Sequence, residues 1–233
     1  MKYFRVLLAK ELNALFTLPI AYILIAVFLI LMGYTFTNWL FVSQTASVVR
    51  VMYQAAVLLL LIVPILTMRG FAEERRHGTL ELLLSTPASE AAIVLAKFVA
   101  CLMLLTVMLS LTLIYPATLA YFGAPDWGPV VSGYLGLLLL SAALSALGLW
   151  ISALTSNQII AATISLGLFV LLWILDGLGS QLPDPFDVFV VNGSLLAHFT
   201  PLSIGALYLS DVGYFLTLTG LGLFLCVRAL ARP

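Results

Sequence analysis

Charge is what this 233-residue chain has least of: ten Lys and Arg, ten Asp and Glu, 9% in all, and a formal net charge of zero. A soluble globular domain carries about 25% charged residues. The even balance leaves no electrostatic footprint for nucleic acid. The lysines, Lys2, Lys10 and Lys97, follow Met, Ala and Ala, so no Gly-Lys pair exists and a phosphate-cradling P-loop is excluded. Cysteine is limited to Cys101 and Cys226, each inside an apolar run, which excludes a disulfide-stapled fold and leaves both as packing residues. Neither HExxH nor CxxC occurs, and the two histidines are His77 and His198. What fills the chain instead is apolar: 63% hydrophobic residues and a mean hydropathy of +1.18. So much apolar surface needs a second apolar solvent, which excludes a water-soluble domain, disorder and collagen.

A helix that crosses a bilayer needs about 20 mostly apolar residues, since the hydrocarbon core is about 30 Å thick. Six runs qualify: Ile20 to Phe41, Met52 to Met68, Ile93 to Phe122, Pro129 to Leu154, Ile159 to Leu182, and Val212 to Leu230. The fold class expected is therefore an all-α polytopic membrane protein. The first run is too long for a signal-peptide core and lacks a small-residue cleavage pattern. With the N-terminus inside, Lys2, Arg5, Lys10, Arg69, Arg75, Arg76, Lys97, Arg228 and Arg232 fall on the cytoplasmic side and only Arg50 outside. That bias places both termini in the cytoplasm. No ionisable residue falls near the middle of a run, which argues against an ion-driven transporter. Pro64 and Pro116 are expected to kink their helices.

The segments between the runs carry the remaining information. Residues 1–18 hold a short amphipathic helix for the inner interface, with Lys2, Arg5, Ala9 and Asn13 on one face and Glu11 breaking the pattern. The alternative is a charged flank that only sets topology. Six of the twenty formal charges lie between Arg69 and Glu81. There Glu73, Glu74, Arg75 and Arg76 extend the second span, Gly78 stops it, Thr79 caps a short helix, Pro87 ends that helix, and Ser89 caps the third span. Two readings remain open: an ordinary charged hairpin, or a rigid lever gripped by another protein. Charges of both signs beside a leucine-rich face fit a protein contact better than a lipid patch, which is mainly Lys and Arg.

In the fourth run Ser141, Ser145, Gly148 and Ser152 recur on one helical face. Small residues let membrane helices approach closely, either within one chain or across a dimer. Only Thr155 to Gln158 separate the fourth and fifth runs, so these helices are antiparallel neighbours. A tight turn is expected at Gly123 to Gly128. The outer segment 183–210, with Asp184, Asp187 and His198, is broken by Pro183, Pro185, Gly193, Pro201 and Gly205. It fits one or two short helices in or over the outer leaflet, or a plain loop. Asp211 follows it. Ser194 and His198 sit at helical spacing, but no orienting acid or GxSxG context makes them a hydrolase pair. No catalytic group and no metal set is expected in the chain.

Several stretches together resemble the permease subunit of ABC transporters of the type-2 export class, and look closest to the gliding-motility-associated subfamily. They are Lys10-Glu11 with Pro19-Ile20-Ala21-Tyr22; Pro64 to Arg69 with Phe71 to Arg76, Gly78 to Leu83 and Pro87; and His198-Phe199, Gly205, Asp211-Val212, Tyr214 to Leu216 and Val227 to Leu230. Ile204 and Ser210 stand where relatives often carry basic residues. The resemblance implies that 1–233 form one permease domain in a bacterial cytoplasmic membrane. It also implies that 71–87 are a coupling segment seated in a separate ATPase. Phe71, Glu73, Glu74, Arg75, Arg76, Gly78, Thr79, Glu81 and Pro87 would be the coupling residues. It implies two ATPase copies holding ATP and Mg, and a second permease chain, identical or not. An extracytoplasmic accessory protein meeting the outer segment is a further implied partner. The other reading is a membrane anchor that transmits force from an ATPase to an outer partner while nothing crosses the bilayer.

Overall fold

In hydrocarbon every backbone N–H and C=O must be satisfied inside its own segment, which favours helices throughout. The computed structural model describes residues 2–17, 19–43, 48–122, 126–179, 183 and 186–231, and among these there are helices and turns but no strand. In chain order the helices are α1 (Lys2–Thr17), α2 (Pro19–Ser43), α3 (Val49–Thr67), α4 (Ala72–Arg76), α5 (Thr79–Leu84), α6 (Glu90–Leu111) and α7 (Ile114–Phe122). They continue with α8 (Trp127–Leu154), α9 (Gln158–Gly179), α10 (Phe186–Asn192), α11 (Leu195–Ser203) and α12 (Leu209–Leu230). Six segments are long and apolar enough to span: α2, α3 with its extension, α6 with α7, α8, α9 and α12. The chain is an all-α polytopic membrane protein.

The third span is not one rod. It breaks at Thr112 and Leu113, and Pro116 explains the place. A proline ring clashes with the carbonyl four residues earlier, here that of Thr112, and supplies no N–H to it. The Thr112 hydroxyl bonds instead to the Leu109 carbonyl (2.6 Å) and meets the Tyr134 hydroxyl (2.8 Å). Pro64 acts differently. It lies in the last turn of α3, which stays unbroken, and its carbonyl accepts from Met68 N–H at 2.9 Å.

Helix α8 is the axis of the bundle. It packs against α3, α6, α9, α11 and α12, and 72% of its most apolar window is buried, against 17% for α2, α9 and α12. Small residues permit this crowding. A Cβ at Gly222 of α12 would come within 2.9 Å of Ala146, and one at Gly148 would overlap Thr67 of α3. Ser141, Ser145 and Ser152 are fully buried. The small-residue face therefore packs helices inside this chain and offers no surface to a second one. The Ser141 hydroxyl bonds back to the Leu137 carbonyl, while Ser145 Oγ is buried without a hydrogen-bond partner among the described residues.

Helix α1, expected at the inner interface, packs along α6. The segment 183–210 holds two short helices among its described residues, and α11 is built into the bundle, with Leu195, Phe199 and Leu202 fully buried against α8 and its neighbours. Ser194 caps α11 by accepting from Leu196 and Ala197 N–H, so its hydroxyl is a structural group. Residues 123–125 of the turn expected at 123–128, the end of the fifth run, Asp184 and Arg232 lie outside the described residues.

Candidate functional site

The elbow begins where α3 runs out of apolar residues. Gly70 N–H turns back to the Thr67 carbonyl (2.9 Å), and Phe71 and Ala72 plunge into the bundle with no exposed surface. The start of α4 has N–H groups without helical partners. Its N-cap residue Phe71 offers no side-chain acceptor, so the acceptor comes from another helix. Ser152 Oγ of α8 accepts from both Phe71 and Ala72 N–H at 3.0 Å and donates to the Met68 carbonyl at 3.1 Å. One hydroxyl thus uses its donor and both lone pairs on the elbow. The Phe71 ring packs in a cluster with Leu80, Ile93, Val94, Leu149 and Cys226. Leu80 brings α5 into that cluster.

An ionic clasp closes the root from the other side. Lys97 of α6 is only 4% exposed, and its Nζ lies 2.8 Å from Glu74 Oε1 and 3.0 Å from Glu11 Oε1. Lys10 Nζ lies 3.8 Å from each of those carboxylate oxygens, and Lys97 Nζ sits 5.2 Å over the Phe71 ring. A buried ammonium without counter-charge is costly; here two carboxylates from separate elements hold it. The clasp ties α1, α4 and α6 together.

Beyond the root the segment turns outward. Gly78 takes the left-handed conformation (φ 68°) and nothing lies within 4 Å of where its Cβ would be, so backbone conformation alone selects glycine. Thr79 does not cap α5 as the spacing suggests; its hydroxyl donates back to the Glu74 carbonyl at 3.2 Å. Ser89 does cap α6, accepting from Ala92 N–H at 3.3 Å. Arg75, Arg76, His77, Thr79, Glu81 and Pro87 are exposed, and Leu82 is 69% exposed. A groove of about 520 Å³ separates Arg76 from the short α8–α9 loop at Ser156, Asn157 and Gln158. The coupling residues named from sequence therefore divide. Phe71 and Glu74 face inward at the root, Glu73 is half-buried, and Arg75, Arg76, Gly78, Thr79, Glu81 and Pro87 form an exposed tip. Phe71 is buried too completely to touch a partner.

At the opposite end of the bundle the structure joins two of the four residues expected on the outer side, His198 and Asp211. His198 Nδ1 lies 2.8 Å from Asp211 Oδ1, its Nε2 lies 3.2 Å from the Asn192 carbonyl, and its ring stacks on Tyr214 with centroids 4.1 Å apart. The pair pins α11 to the start of α12 and to the end of α10. Asp187 is not part of it; its Oδ1 is buried without a hydrogen-bond partner among the described residues.

Lys97, Glu11 and Ser152 are the residues that sequence reasoning missed in these roles. A lysine seven positions inside an apolar helix needs a counter-charge, and Glu11, out of place in the pattern of α1, was the available signal. Ser152 gave none, because nothing local distinguishes a packing serine from one that caps a distant helix. Residues 5–183 match the family model described as ABC-2 family transporter protein, a stretch that takes in the clasp, the elbow and α8. No curated protein matches the chain.

Proposed function

We infer the working of this protein from one premise: the chain belongs to the ABC-2 transporter family and is a permease subunit of an ABC transporter. In our reading it lies in a bacterial cytoplasmic membrane with both termini in the cytoplasm. The elbow at 71–87 is its coupling lever, and two copies of a separate ATPase, holding ATP and Mg, work on two permease chains. The direction we propose is export. The observation that carries this reading is the division of the elbow into a buried root and an exposed tip. Arg75, Arg76, Glu81 and Leu82 are free for a partner, while Phe71, Ala72 and Glu74 are fixed to α8, α6 and α1. A push on such a tip is passed to three helices instead of bending a loop. ATP-driven closure of the ATPases would rock the elbows of both chains and open a path between the permeases alternately to each side.

The test reverses charges at the tip and leaves the root intact. Arg76→Glu with Glu81→Lys, made in the assembled transporter, is expected to abolish substrate-stimulated ATP hydrolysis while the folded fraction stays unchanged. Stimulation that survives both reversals overturns the lever. Proteoliposomes then separate transport from anchoring: ATP-dependent flux supports a permease, and hydrolysis without flux in the presence of a bound outer partner supports the force-transmitting anchor.

A further inference from the structure

Beside the root of the elbow lies a cavity of about 260 Å³, lined from α1, α2, α3, α6 and the elbow itself. That is room for about eight waters, far more than a single bound ion requires. Part of its wall is apolar, from Leu15, Leu24, Ile65 and Leu66. The rest carries three cations and three carboxylates, and most of that charge is already paired. Lys97 holds Glu11 and Glu74 through one oxygen of each, and Lys10 approaches the same two oxygens. Three groups are left over. Arg69 has no ion pair among the described residues and its Nε is buried without a hydrogen-bond partner. Glu73 has no ion pair among them either, and Glu74 Oε2 is buried without a partner.

One unused guanidinium and unused carboxylate oxygens flank an apolar slot where the spans α2, α3 and α6 begin or end. Arg69 Nε and Glu74 Oε2 are buried, and buried polar atoms are costly unless a ligand or water completes them, while half-buried Glu73 stands beside them at the rim. Their complement is an amphiphile carrying a phosphate and a primary ammonium a few bonds apart. We propose that this cavity binds one phosphoethanolamine-headed phospholipid. Its phosphate meets Arg69, which presents planar donors to phosphate oxygens. Its ammonium donates to Glu73 and Glu74 Oε2, and its first acyl carbons lie along Leu15, Leu24 and Leu66. A trimethylammonium head has no N–H to give these carboxylates, and a glycerol head brings them no cation. The bound lipid wedges α1 against the root. The proposal requires a membrane location and is independent of coupling to an ATPase.

Native mass spectrometry of the full-length chain in detergent tests it, with phosphatidylethanolamine, phosphatidylcholine and phosphatidylglycerol of matched chains added at equal concentration. The expected result is a one-to-one phosphatidylethanolamine adduct favoured over the other two by about tenfold, the effect of one or two charge-assisted hydrogen bonds. Arg69→Gln is expected to remove the adduct, and Glu73→Gln to reduce the preference for ethanolamine over choline. Equal retention of the three lipids by the wild type, or retention unchanged in Arg69→Gln, overturns the proposal. Should Arg69→Gln fail to fold, Ala14→Phe fills the same cavity without altering a charge. Loss of the adduct there supports the site, and full retention refutes it.

Discussion

The root and the tip of the elbow are separated by only a few residues and obey opposite rules. At the root, Phe71 is fully buried, a serine from α8 accepts from the Phe71 and Ala72 N–H groups, and three charges meet around the buried Lys97 ammonium. At the tip, charges of both signs face outward and the one special backbone conformation, at Gly78, touches nothing. The difference teaches where each kind of work is done. Substitution at the root should register as lost stability, and substitution at the tip as lost partner function with the fold intact.

The largest expected effect tests the clasp. Lys97→Met leaves the two carboxylates with only the exposed Lys10 at 3.8 Å in place of their buried cation, and breaking a buried ion pair on one side costs about 3–5 kcal/mol. Thermal unfolding in detergent should show that loss. The triple variant Lys97→Met, Glu11→Leu, Glu74→Leu should regain most of it, because an apolar replacement of comparable volume is often neutral. A triple variant as unstable as the single one would mean that the charges hold the root by more than mutual compensation.

A smaller loss is expected from Ser152→Ala, which strips the acceptor from Phe71 and Ala72 N–H. Removing a helix N-cap costs about 1 kcal/mol. The α4 amides should also exchange faster with deuterium, and unchanged exchange in the variant would show that Ser152 is packing and nothing more. Smallest is Gly78→Ala. There is open space for the methyl group, so only the left-handed backbone resists, at about 1–2 kcal/mol for an ordinary residue. Since the tip is held by few contacts, that strain can relax locally, and the unfolding midpoint should move less than in Ser152→Ala. A larger shift would erase the distinction between root and tip.

How far the sequence could be read depended on whether a signal was local. Apolar runs and the charged stretch after Met68 are local, and so are Gly78 and the Ser89 cap; each appears where its residue type predicts. Pro116 was legible as a disturbance, but not that the break falls at Thr112, four residues earlier. The family resemblance agrees with the match over residues 5–183, while the gliding-motility subfamily has no such support. Thr79 departs from the expected cap because its hydroxyl has a nearby alternative, the Glu74 carbonyl five residues earlier, which the turn at Gly78 brings within reach. The serine stripe of α8 read as one packing face, yet its members differ. Ser141 bonds within its own helix, Ser145 has no hydrogen-bond partner among the described residues, and Ser152 holds the elbow.

Composition and periodicity by themselves decided that this chain is helical, that it lives in a bilayer, and which stretch leaves it carrying charges of both signs. Those outcomes depend on transfer between solvents, summed over each segment without reference to its neighbours. Only the tertiary structure decided that Lys97 lies between Glu11 and Glu74, that Ser152 caps a helix from another part of the chain, and that His198 meets Asp211. Such contacts are set by packing across helices far apart in sequence, where a hydrogen bond or ion pair forms only once both partners have been brought to within about 3 Å.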